Sequence, residues 1–141
     1  MKLFLKRNGL YIAWGISLLA VLGSLYFSNV LNFAPCILCW YQRILLFPLV
    51  LIIGVGILRK DRLVHQYVLP FSIAGVLVSA YHNLLYYKVI PEQLAPCTSG
   101  ISCTTEYINY FGFVTIPLLS LIAFLLITTL VLINRSNNEN S

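Results

Sequence analysis

Four long apolar runs, roughly Leu10–Val30, Cys39–Leu58, Leu63–Tyr87 and Phe113–Ile133, alternate with short polar stretches along the chain. Each is close to the ~20 residues that an α-helix needs to cross a hydrocarbon layer. The pattern predicts four transmembrane helices in one membrane domain, 1–141, with a polar tail from 134 to 141, "NRSNNENS", expected to be disordered. The first run, preceded by Lys2, Lys6 and Arg7, has the charge pattern of a signal peptide. Its length, and the lack of a small-residue cleavage site after it, favour retention as the first span.

Composition agrees with the pattern. Of 141 residues 60% are hydrophobic and 9% charged, which excludes an ordinary soluble domain. The net charge of +5 sits in short clusters between the runs, as topology signals do, and argues against a nucleic-acid partner. Seven basic residues fall on one side of the four spans: Lys2, Lys6, Arg7, Arg59, Lys60, Arg62 and Arg135. Lys88 alone falls in the connections on the other side. Since lysine and arginine are retained in the cytoplasm, both termini are expected inside the cell (plasma) membrane, with the 29–38 and 88–112 connections outside.

All four cysteines lie in or beside those outer connections, where thiols are able to form disulfides. The expected fold class is thus an all-α membrane protein, a four-transmembrane-helix bundle with two outer loops carrying cysteine pairs. In "APCILCWYQR", Cys36 and Cys39 stand about one helical turn apart if a helix begins after Pro35. Amide groups at a helix N-terminus favour a thiolate, which suits exchange chemistry; a structural disulfide or half of a metal site fits the same spacing. In "APCTSGISCTTEY", Cys97 and Cys103 would close a short ring in a Ser/Gly-rich loop, which makes a weak staple and a better exchange pair. A zinc site of four thiolates would require both pairs to meet at the membrane face, and no metal is expected.

Two ionisable residues lie within the spans. Arg43 follows Cys39 by four residues and so shares its helical face, while His82 sits six residues before Lys88, about 9 Å below the outer end. The alternatives are an arginine snorkelling to the headgroups and a histidine bonded to a neighbouring helix. Beside a CxxC pair, the two together suggest a pocket for a ligand with a polar head and an apolar tail, such as a quinone. His65, at the cytoplasmic end of the third span, reads as interfacial, and Trp14, Trp40, Tyr41, Tyr86, Tyr87, Tyr107 and Tyr110 as an aromatic belt. Pro48, Pro70 and Pro117 read as local kinks.

In "PCILCWYQR", the histidine of "SAYHNLLYY", the second cysteine pair and the four-span layout, the whole chain resembles the disulfide bond formation protein B (DsbB) family, particularly its short BdbC-type members. The resemblance implies a membrane thiol oxidase that takes electrons from a thioredoxin-like extracytoplasmic dithiol protein and passes them to a quinone, menaquinone or ubiquinone. It implies that Cys97 forms the mixed disulfide with that partner, that Cys103 exchanges with Cys36, and that Cys39 donates to the quinone with Arg43 and His82 at the ring. One departure is the five-residue spacing of Cys97 and Cys103, shorter than in Gram-negative members. A vitamin K epoxide reductase-like protein would place the CxxC after the loop pair. A non-catalytic scaffold would use its disulfides only to fix its loops.

Overall fold

The computed structural model describes residues 1–32, 36–91, 93 and 115–139. Among these residues are four helices: α1 (Lys2–Asn29), α2 (Ile37–Arg59), α3 (Val64–Tyr86) and α4 (Ile116–Glu139). All four contain segments long and apolar enough to span a membrane, so the fold is an all-α bundle of four membrane spans. The expected spans and the helices agree to within a few residues except at the two ends of the chain. Helix α1 extends back to Lys2, and α4 runs on to Glu139 through most of the polar tail that composition marks as disordered. A helix under way adds one hydrogen bond per residue, so it continues past the apolar stretch that established it.

Helix α1 packs against α2 and α4, and α3 packs against the same two, which closes a ring of four. Small residues permit the close approaches, as is usual where lipid tails give helices no hydrophobic reason to associate. A Cβ at Gly75 would lie 2.7 Å from Cζ of Phe124, so the phenyl ring of α4 rests on bare α3 backbone. Phe124 is 1% exposed, in a core with Leu49, Ile53, Val68 and Ile127. Gly56 accommodates Val64 in the same way across the short α2–α3 connection. The hydroxyls of Ser17, Ser72 and Ser79 donate to carbonyls three or four residues earlier on their own helices, so each is satisfied without a cross-helix partner.

Trp14, His65 and Pro117 depart from their expected roles. The indole Nε1 of Trp14 donates to the Val50 carbonyl at 3.2 Å, and the ring lies against Gly54, so this tryptophan joins α1 to α2 within the span. His65 is buried, its Nδ1 3.1 Å from the Arg62 carbonyl oxygen. Pro48 and Pro70 lie inside continuous helices. Pro117 instead occupies the first turn of α4, where a missing N–H costs nothing, and its carbonyl accepts the Asn83 amide at 2.9 Å. Tyr107 and Tyr110 lie outside the described residues.

Candidate functional site

The C-terminal ends of α1 and α3 and the N-terminal ends of α2 and α4 gather at one end of the bundle. Cys36 is the N-cap of α2: its backbone is extended (φ −76°, ψ 172°) and its carbonyl accepts the Trp40 N–H at 3.1 Å. One turn on, the Cys39 sulfur lies 3.1 Å from that of Cys36, both as free thiols. The Cys36 sulfur is also 3.8 Å from His82 Nε2 on α3. On the other side of that ring, the Gln42 amide nitrogen is 3.1 Å from Nδ1. With Gln42 donating to Nδ1, the proton of a neutral His82 sits on Nε2, facing the sulfur.

This microenvironment holds the Cys36 thiol well below its ordinary pKa. The largest cause is the hydrogen bond shared with Cys39; burial opposes it, and the hydrogen bond with His82 adds to it. The backbone N–H of Cys39, the helix-terminus contribution expected from spacing, is the smallest part. Cys36 is nevertheless only 7% exposed, so the thiolate it favours is shielded rather than surface-displayed.

Arg43, the residue after Gln42, turns the opposite way. Its Nε donates to Ser24 Oγ at 2.9 Å, and one terminal nitrogen donates to the Ser24 carbonyl and to Ser28 Oγ. Its guanidinium carbon lies 5.6 Å from the ring centroid of half-exposed Trp40. Arg43 is thus pinned to α1 rather than snorkelling freely. Both it and His82 line a cavity of about 400 Å3 among the four helices, as do Cys36, Cys39 and Gln42. The convergence expected from depth alone is therefore realised around one space. Most of the remaining wall is apolar, from Ile16, Leu46 and Phe124 among others.

Sequence reasoning missed Gln42, Ser24, Ser28 and Tyr86 as cavity residues. The two serines carried a legible signal, a polar pair at i and i+4 late in an otherwise apolar span. Gln42 carried a weaker one, three residues beyond Cys39. Cys97 and Cys103 lie outside the described residues.

A polarised dithiol at the head of an apolar cavity, inside a bundle of four membrane spans, is an arrangement suited to thiol–disulfide exchange at a membrane. Residues 6–134 match the family described as disulfide bond formation protein DsbB. The chain belongs to that family, and its work is disulfide-bond formation at a membrane. It is 52% identical over 118 residues to disulfide bond formation protein C of Bacillus subtilis, covering 84% of this chain and 86% of the relative. Probable disulfide formation protein C 2 of Bacillus anthracis is 41% identical over 138 residues, 97% of each chain. Probable disulfide formation protein of Oceanobacillus iheyensis is 43% identical over 139 residues, 94% of each. No solved structure matches the chain.

Proposed function

We propose that the protein is a quinone-dependent thiol oxidase that reoxidises an extracytoplasmic thioredoxin-like dithiol protein, with both of its termini cytoplasmic and its cysteine pairs outside. The observation that carries this reading is the single cavity lined by Cys36, Cys39, Arg43 and His82. Its volume is within the ~300–1,000 Å3 range of small-molecule sites, and its apolar wall with a few convergent donors suits an aromatic head with a lipid tail. When bound, the quinone accepts the two electrons and two protons released as the Cys36–Cys39 dithiol closes to a disulfide.

The chain's own residues do the rest. A thiolate of the partner attacks the Cys97–Cys103 disulfide at Cys97, and the partner's second thiol resolves that mixed disulfide, leaving the partner oxidised and Cys97 and Cys103 reduced. Cys103 then attacks Cys36 of the Cys36–Cys39 disulfide, displacing Cys39 as a thiolate. Attack by Cys97 on Cys103 restores the loop disulfide and returns Cys36 as a thiol. The low pKa of Cys36 makes it a good leaving group in this last exchange, and His82 Nε2 faces the departing sulfur. Arg43, held by Ser24 and Ser28, would offer donors and a positive charge to a bound quinone.

Purified protein in lipid nanodiscs, given a soluble quinone and a reduced thioredoxin-like protein, should oxidise the latter and reduce the former. Cys39→Ser should abolish quinone reduction; undiminished turnover in that variant would sink the relay.

A further inference from the structure

The thiol groups of Cys36 and Cys39 and the imidazole of His82 form a donor set whose capacity goes beyond electron relay. Their ligating atoms all lie within 4.8 Å of one another. Tetrahedral zinc, with Zn–S of about 2.3 Å and Zn–N of about 2.0–2.1 Å, sets two sulfurs about 3.8 Å apart and a sulfur and a nitrogen about 3.6 Å apart. The Cys36 Sγ to His82 Nε2 distance is 3.8 Å, within about 0.2 Å of that separation. The two sulfurs, at 3.1 Å, must part by about 0.7 Å to meet the same geometry. The two-residue spacing of the cysteines is a usual zinc chelate, with Cys36 outside the helix and Cys39 in its first turn.

The surroundings complete the site. A metal on Nε2 requires the ring proton on Nδ1, and zinc-bound histidines typically donate that proton to a carbonyl or carboxylate. Gln42, 6% exposed and 3.1 Å from Nδ1, becomes that acceptor when its amide turns over to present Oε1. One side chain thereby supports both states of the histidine. The three donors also line the cavity, which leaves a fourth position for a water.

We propose that the reduced Cys36–Cys39 pair and His82 form a redox-gated binding site for zinc. Zn2+ replaces the two thiol protons, and no electron is transferred. Closing the cysteines to a disulfide, with the two electrons passing to a two-electron oxidant such as a quinone, removes two of the three ligands and ejects the ion. Bound zinc ties up both sulfurs, so it acts as a reversible inhibitor. Inhibition rests on the oxidase reading, whereas binding does not.

The test uses the full chain in nanodiscs with Cys97→Ser and Cys103→Ser, which removes the other thiols, and zinc titrated against a chromophoric chelator. The phosphine-reduced protein should take up one zinc per chain, and the oxidised protein none. Cys36→Ser, Cys39→Ser and His82→Ala should each weaken binding at least about tenfold. Gln42→Glu, a better acceptor for the Nδ1 proton, should tighten it, and this arm decides the matter if His82→Ala does not fold. Cobalt as a probe should give thiolate charge-transfer absorption with intense tetrahedral d–d bands. Zinc uptake that survives oxidation, or that is indifferent to His82→Ala or to Gln42→Glu, overturns the site. Intact zinc binding in a protein with no quinone-dependent turnover in its four-cysteine form would overturn the oxidase reading and leave the site standing.

Discussion

Replacing His82 by Phe keeps an aromatic ring in the bundle and removes the nitrogen that faces Cys36. A hydrogen bond to a charged group contributes about 1.5–3 kcal/mol, and the 3.8 Å N···S separation is long enough to take the lower figure. At 1.36 kcal/mol per unit, the Cys36 pKa should rise by about one unit. Most of the depression should survive, because the hydrogen bond with Cys39 is its larger cause. The sign follows from the reactive species: only the thiolate is alkylated, so a higher pKa lowers the rate at acid pH and leaves the alkaline plateau unchanged. The assay is iodoacetamide alkylation of Cys36 against pH, read by mass spectrometry in chelator-treated buffer, with Cys97 and Cys103 replaced by Ser. The midpoint should move to higher pH by about one unit, which is about a tenfold slower reaction below it. His82→Phe also strands the Gln42 amide, so a thermal melt must first show that the variant is folded. A folded variant with the wild-type profile would refute the part assigned to His82.

Arg43→Lys keeps the charge but loses the fork that grips Ser24 and Ser28, so the apparent KM for quinone should rise several-fold; an unchanged KM would return Arg43 to a purely structural anchor. Gly75→Ala should gain up to about 1 kcal/mol from helix propensity but lose about 1–3 kcal/mol to the clash with Phe124. The net result should be a lower Tm that Phe124→Leu restores; a raised Tm in the single variant would show that α3 and α4 have room to part.

Much of this molecule is legible in the chain. The number and limits of the spans follow from apolar run length, because an unpaired backbone cannot cross lipid and only a helix of about 20 residues satisfies itself there. Residue spacing also put Cys36 and Cys39 one turn apart, and depth counting put Arg43 and His82 in one layer, since rise per residue is a local property of the helix. Rotation about the helix axis is not local, and it is set by which neighbour each face meets. The order of the ring and the seating of Phe124 on Gly75 decided that His82 turns to Cys36 while Arg43 turns to Ser24. The same packing took Trp14 from the expected belt to the Val50 carbonyl, because a bare patch at Gly54 let the indole in. It also made Gln42 the partner of His82, a pairing of residues forty positions apart. Sequence by itself determined which chemically capable residues the spans carry and how far along each helix they lie. The tertiary structure decided which groups touch, because contact between helices depends on the shapes of both faces at once.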